Sequence, residues 1–173
     1  MAETSLTAYS TNEKLNKMAV DVISVTLTTD AETIADNQLI ARSIEIPNAV
    51  AVNGGSAIIQ SMVLFNLDDG VESPAVEIVV ADSSTELGTD EGAAVTVADG
   101  NTYPSLQGSF TVSNWSIMYA ANNEMATKTN IGLAVSAASD SKSIWLHVIN
   151  RSGGDYTPAA TTDFKCKIGV VKD

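Results

Sequence analysis

Few side chains of this sequence could carry out acid-base or nucleophilic chemistry. The 173 residues include one histidine, His147, and one cysteine, Cys166. A hydrolytic triad would need His147 as its base, but no flanking residue suggests an oriented nucleophile. Cys166 alternates with Phe164 and Ile168, a pattern that predicts a small buried side chain with little reactivity. We therefore predict that the chain is not an enzyme and that its function lies in its surfaces.

The sequence also lacks the short motifs that bind nucleotides or catalytic metals. It contains no P-loop, no Gly-x-Gly-x-x-Gly after a strand, no His-Glu-x-x-His, no Cys-x-x-Cys and no Gly-x-Ser-x-Gly. Loop carboxylates can bind a hard cation such as calcium, and two groups have suitable spacing: Asp68, Asp69 and Glu72, and Asp82, Asp90 and Glu91. We expect solvated turn acids at both places, and therefore no metal and no cofactor.

Aromatic side chains keep a carbohydrate-binding function open, because exposed rings can stack on sugars. The candidates for such stacking are Tyr103, Trp115, Trp145 and Tyr156. The alternation of apolar residues around both tryptophans favours positions in the core or at a sheet interface. A sugar-binding role is therefore an alternative and not the first hypothesis.

Composition argues against binding to nucleic acid or membranes. Nine Lys and Arg stand against 21 Asp and Glu, a formal net charge of -12, and this excess repels phosphate groups. The N-terminal sequence has no apolar signal-peptide region, and the longest apolar stretch, around residues 58–65, is far shorter than a membrane span. We expect synthesis in the cytoplasm, with no intrachain disulfide because there is a single cysteine.

Apolar runs of strand length, separated by Gly, Asn, Asp and Ser turns, predict an all-β fold. About eight such runs fit a two-sheet antiparallel sandwich that is jelly-roll-like, and an immunoglobulin-like sandwich is the competing topology. The clearest runs are AIIQSMVLFNL, PAVEIVVA, IGLAVSA, SIWLHVI and FKCKIGVV.

The first two strands carry conflicting signals. In the run from Ala19, the apolar phase shifts between Val22 and Ile23, which predicts a bulge or a partly central strand buried on both faces. In the next run, Arg42 shares the face of Ile44 and does not fit an apolar side. The sequence leaves the position of this charge unexplained.

The middle of the chain predicts a covered strand followed by a hairpin. Residues 57–67 are apolar on both faces, which is typical of a mid-sheet strand under cover. The sequence from Asp68 to Gly70 predicts a turn that joins this strand to the next, beginning near Val76, as a hairpin. Residues 82–107 are rich in Gly, Ser and Asp and could hold a short helix or a short strand, a choice that the sequence leaves open.

Residues 1–18 form a polar N-terminal segment that cannot build a core by itself, so we assign the sandwich domain to residues 19–173. The segment is either a disordered tail or an extended arm that orders against a neighbouring subunit. In the second case its apolar and basic side chains make the contact: Leu6, Tyr9, Lys14, Leu15, Lys17 and Met18.

Residues from about Ile44 to the C-terminus resemble a known group of viral proteins. The segments that carry the resemblance are GGSAIIQSMVLFNLDDG, IVVADSSTELGTDEGAAVTVADG, ATKTNIGLAVSAASDSKSIWLHVINRSGGDYT and FKCKIGVVKD, in that order. Their pattern is similar to that of auxiliary capsid proteins, the decoration or cement proteins, of tailed bacteriophages, especially short-tailed marine phages.

The resemblance implies a structural virion protein located on the outer capsid surface. Its partners would be the major capsid protein and neighbouring copies of itself, and it would stabilise contacts between capsid subunits. A carbohydrate-binding or head/tail-fibre-type sandwich on the virion is the alternative, and a hydrolase with two convergent carboxylates is a third class.

Overall fold

The computed structural model describes residues 19–30, 32–68, 73–97, 103–118 and 123–172. These ranges contain nine β-strands and one turn of 3-10 helix, Tyr103–Ser105. They form no helix that is long and apolar enough to cross a membrane. The strands are β1 (Ala19–Thr26), β2 (Leu39–Ile46), β3 (Ser56–Asn66), β4 (Val76–Ala81), β5 (Leu106–Val112), β6 (Trp115–Ile117), β7 (Glu124–Ser136), β8 (Ile144–Asn150) and β9 (Phe164–Lys172).

The strands form two antiparallel sheets, with the order β1-β9-β3-β7-β6 in one and β2-β8-β4-β5 in the other. Strands β1 to β4 alternate between the sheets, and β7 to β9 alternate again, which gives the two Greek keys of a jelly roll. An immunoglobulin-like sandwich would pair the first two strands in one sheet, whereas here β1 and β2 lie in different sheets. The predicted antiparallel sandwich is confirmed, and the short β6 is a ninth strand.

The core lies between the two sheets and follows the period-two pattern of the strands. In β9, Phe164, Cys166, Ile168 and Val170 are buried while Lys165 and Lys167 are exposed, as the alternation predicted. The ring of Phe164 packs edge-to-face against Tyr156, with 5.6 Å between ring centroids. This alternation fixes which side chains of each strand can reach a partner outside the sandwich.

The prediction for the first strand is wrong. β1 lies at the edge of its sheet and pairs with β9 from Ala19 to Thr26 without a bulge. Ile23 and Val25 pack against the core, whereas Val20 and Val22 point outward and are exposed. The strand is apolar on both faces although only one face is buried.

The hairpin predicted at Asp68 to Gly70 is also wrong. β3 pairs with β9 and β7, and β4 pairs with β8 and β5, so the chain crosses from one sheet to the other between them. β3 is mid-sheet, as predicted, but its outward side is not under cover, since Ile58 is exposed. Asp68 itself is buried and not a solvated turn acid, because its carboxylate accepts a hydrogen bond of 2.9 Å from the Ala159 backbone N–H.

A bulge in β2 explains the position of Arg42. The pairing of β2 with β8 shifts between Ala41 and Ile44, and Ser43 adopts a positive φ of 47°. The extra residue rotates Arg42 away from the core while Ile44 still packs against it. The Arg42 side chain thereby reaches the carboxylates of residues 82–97.

Residues 82–97 form a series of turns, and neither a helix nor a strand, over the outer side of the four-stranded sheet. The backbone of Leu39 accepts a hydrogen bond of 2.8 Å from the Gly92 N–H and donates one of 3.0 Å to the Ala93 carbonyl. Leu87 inserts its side chain between the outward residues of this sheet and is 1% exposed. This segment, which we call the cover loop, therefore shields one outer face of the sandwich.

Candidate functional site: an open sheet face

The outer side of the five-stranded sheet differs from the covered sheet, and we call it the open face. Residues that pair directly across antiparallel strands point to the same side, and the pairing defines four rows across β1, β9, β3 and β7. The rows are Val20, Val171, Ile58 and Ala134; Val22, Gly169, Ser61 and Thr129; Ser24, Lys167, Val63 and Thr127; and Thr26, Lys165, Phe65 and Met125.

Apolar side chains in the first two rows remain in contact with solvent. Val20 is 74% exposed, Val22 is 65% exposed and Ile58 is 39% exposed. Adjacent exposed valines on an edge strand are unusual, because such strands pair readily with other chains. The first two rows therefore have the character of a surface that another molecule covers.

The other two rows are basic and contain a depression. Lys165 and Lys167 are exposed, and the Lys167 ammonium lies 5.7 Å from the centroid of the Phe65 ring. Both lysines also line a depression of about 360 Å³ together with Ser24, Thr26 and other residues. None of the residues in the four rows is acidic, although the whole chain has a net charge of -12.

The outer side of the four-stranded sheet has no comparable opening among the described residues. Its outward residues Leu39, Val79 and Ile149 form a second apolar cluster with Leu87 of the cover loop. Leu39 is fully buried, Leu87 is 1% exposed and Ile149 is 2% exposed. Because this side already has its own cover, an external partner finds apolar area mainly on the open face.

Arg42 fastens the cover loop to β2. Its guanidinium contacts the Glu86 carboxylate, lies 3.6 Å from Glu91 and lies 3.8 Å from Asp90. Burial raises the pKa of Glu91, and the neighbouring Asp90 carboxylate raises it further. Arg42 therefore lies beside two of the acids that the sequence had suggested for a cation site, Asp90 and Glu91.

His147 is buried beneath the same loop. Its Nδ1 accepts a hydrogen bond of 3.2 Å from the Ser43 backbone N–H, and its Nε2 has no partner among the described residues. Burial lowers the pKa of His147 to about 4, against the raising effect of Glu86. The Ser43 hydroxyl is directed to the Thr85 carbonyl at 3.5 Å and not to the imidazole. The pair therefore lacks the geometry of a base and its nucleophile.

Cys166 lies in the core, as predicted, and is 1% exposed. Burial raises the pKa of its thiol to about 12, so the thiolate is scarce at neutral pH. Neither Cys166 nor His147 is both accessible to a substrate and activated for catalysis by its surroundings. That the chain is not an enzyme remains a prediction.

The two acidic groups considered for cation binding fall partly outside the described residues. Asp69 and Glu72 lie outside them, and Asp68 is held by local hydrogen bonds: its backbone N–H donates to the Asn66 side-chain oxygen at 3.1 Å. Among the described residues, no group of three or more His, Cys, Asp or Glu side chains is arranged to hold a metal ion.

The aromatic residues considered for sugar stacking are largely engaged in packing. Tyr156 is 2% exposed. The half-buried Trp115 donates a hydrogen bond of 2.9 Å from its indole to the Pro74 carbonyl, and its ring packs at 6.0 Å from Phe164. Trp145 is half-buried, and the side chain of Tyr103 is not among those described. These contacts remove two of the four rings from a sugar-binding surface.

The arm residues named from the sequence lie outside the described residues, namely Leu6, Tyr9, Lys14, Leu15, Lys17 and Met18. The open face itself was missed by sequence reasoning. Its signal was present in β1 and β3, whose residues are apolar on both sides, but this pattern was interpreted as burial on both faces.

Comparisons with known proteins identify no family for this chain. No family model matches the chain, and no curated protein matches it. A solved structure of the infectious bursal disease virus Gx strain is similar over 88% of this chain and 38% of that chain, with 9% sequence identity and a TM-score of 0.30. This chain thus spans well under half of the viral chain, and a likeness at this level carries no argument about function.

Proposed function

We propose that this protein is a structural component of a virus particle, namely a decoration protein of a tailed bacteriophage head. In this proposal it binds the outside of the shell built by the major capsid protein and bridges neighbouring subunits. The observation that carries the proposal is the contrast between the two outer sheet faces. One face is covered by residues 82–97 of the chain itself, while the other exposes Val20, Val22 and Ile58.

A rigid sandwich with one open face suits a bridging role. Each copy can bind weakly, because many copies bind a repetitive lattice and their contributions to the stability of the shell add up. A protein that binds the closed shell but not its separated subunits stabilises the shell by mass action. The pattern resemblance along residues 44–173 supports the same class of protein.

The experiment uses particles of the virus that encodes this chain, prepared with and without its gene. Particles that lack the protein should release their DNA at a lower temperature, and purified protein added back should restore the release temperature. Release can be followed with a dye that fluoresces on free DNA. Equal release temperatures for the two kinds of particle, or no binding of added protein, would refute the proposal.

The N-terminal segment is tested separately. A Leu6→Ser, Tyr9→Ser and Leu15→Ser variant should unfold at the same temperature as the wild type, because these residues lie outside the sandwich domain, yet attach to particles more weakly. A sugar-binding or fibre-type function predicts instead that the isolated protein binds a glycan array and ignores particles without the protein.

A further inference from the structure

The open face combines apolar and basic character in a way that specifies its partner. At one end Val20, Val22 and Ile58 are exposed. At the other end Lys165 pairs with Phe65 across the strands, and the Lys167 ammonium lies 5.7 Å from the centroid of the Phe65 ring. Along β1 the apolar rows and the basic rows lie about 7 to 20 Å apart, since each row advances two residues of roughly 3.3 Å. The two characters therefore occupy separate halves of one surface.

Charge complementarity determines which molecules fit this surface. The chain has a net charge of -12, so most of its surface repels other acidic proteins at long range. The open face carries two lysines and no carboxylate in its four rows. An acidic partner surface is therefore attracted to this face and repelled elsewhere, which orients the encounter.

The described part of the chain begins at the apolar half of the same face. Residue 19 is the first residue of β1 and lies one position from Val20. The preceding 18 residues can span at most roughly 60 Å when extended. A partner bound to the open face is therefore within reach of this segment.

We infer that the open face is the surface with which this protein docks on the shell, and that the partner presents an apolar patch bordered by carboxylates. This inference rests on the proposed function, and it deepens it by naming the face that makes the contact. The partner's apolar patch covers Val20, Val22 and Ile58, and its carboxylates pair with Lys165 and Lys167.

The test measures binding of purified variants to particles that lack the protein, by co-sedimentation at 50 and 500 mM salt. A Val20→Glu and Val22→Glu variant should bind at least about tenfold more weakly, because it places charge in the apolar centre of the contact. A Lys165→Glu and Lys167→Glu variant should bind more weakly at low salt, and the difference should shrink at high salt.

Two control variants make the same changes away from the face. Val52→Glu with Val97→Glu places two acids at exposed valines in loops, since Val52 is 61% exposed and Val97 is 45% exposed. Lys128→Glu with Lys142→Glu reverses two exposed lysines that are not in the four rows. Both should bind like the wild type, and the thermal unfolding of all four variants should match that of the wild type.

The outcomes separate this inference from the proposed function. If the wild type binds particles but the face variants bind equally well, the docking face is wrong while the function stands. The same conclusion follows if the control variants lose as much binding as the face variants. If the wild type does not bind particles, the function fails and this inference fails with it. Analytical ultracentrifugation tests a further outcome. If the wild type is a dimer and the Val20→Glu and Val22→Glu variant is a monomer, the face binds a second copy and the inference is overturned.

Discussion

The Lys172 ammonium donates a hydrogen bond of 2.6 Å to the Asp21 carboxylate. Lys172 is the last residue of β9, and Asp21 belongs to the edge strand β1 that carries Val20 and Val22. The lysine side chain is 9% exposed, whereas the aspartate side chain is 55% exposed. The ion pair thus anchors the exposed edge of the open face to the rest of the sheet.

Asp21→Asn should destabilise the protein by about 1 to 2 kcal/mol, because it leaves a largely buried ammonium without its counter-charge. The free energy of unfolding can be measured by urea denaturation. Lys172→Met with Asp21→Asn should recover part of the loss, since the buried charge is then gone. Additive losses in the double variant would show that the two side chains do not interact.

Leu87→Ala should lower the free energy of unfolding by about 2 to 3 kcal/mol, because it removes a buried side chain from the cluster with Leu39, Val79 and Ile149. Val97→Ala is the matched control at an exposed position of the same segment, where the change should be below about 0.5 kcal/mol. Both values come from urea denaturation. Equal small effects would mean that the cover loop does not pack on the sheet.

Stability should depend on pH through His147. Its folded-state pKa is lowered to about 4 by burial, while the unfolded chain binds the proton near pH 6.5. Between these values the unfolded state holds the extra proton, so stability is full above pH 6.5 and falls by about 3 kcal/mol as pH drops to 4. Urea denaturation of wild type and His147→Gln should give a difference that changes with pH by this amount.

A direct titration checks the same prediction. Because the chain has one histidine, its ring resonances in an NMR spectrum report His147 alone. The folded protein should keep a neutral ring at pH 5 and 6. A midpoint near 6.5 in the folded state would contradict the assigned burial.

The Cys166 thiol should react with a disulfide reagent only when the protein unfolds, because burial raises its pKa to about 12. At pH 8 its modification should be at least about a thousandfold slower in the native state than in urea, as expected for a stable core. Cys166→Ala with Ser116→Cys moves the thiol to an exposed position and should react at once. Rapid modification of the native wild type would place Cys166 near solvent.

Local sequence patterns predicted the strands in which one side is apolar and the other polar. β9 alternates Phe164, Cys166 and Ile168 with lysines, so period two alone indicates which side faces the core. β8 gave the correct inner side by the same argument, through Ile144, Leu146 and Val148. In β9 the burial of most side chains follows from their position in the alternation, whereas the outward His147 and Ile149 of β8 are buried as well.

Patterns that are apolar on both sides could not be resolved in this way. Val20 and Val22 have the same side-chain chemistry whether they lie at an edge or beneath a covering segment, so the sequence could not reveal an exposed face. Likewise, Arg42 fits its strand only because a bulge rotates it toward Glu86, and the bulge depends on the pairing with β8.

By itself the sequence determined an all-β chain, the inward residues of its alternating strands and the scarcity of catalytic side chains, because these depend on residue type and local spacing. The tertiary structure decided which strands are neighbours, why Asp68 leads to a crossover and not a hairpin, and which sheet face stays open. Those features depend on pairings between residues far apart in the chain, such as the pairing of β1 with β9. No local pattern encodes such a pairing, because its free energy is shared among all the strands it brings together.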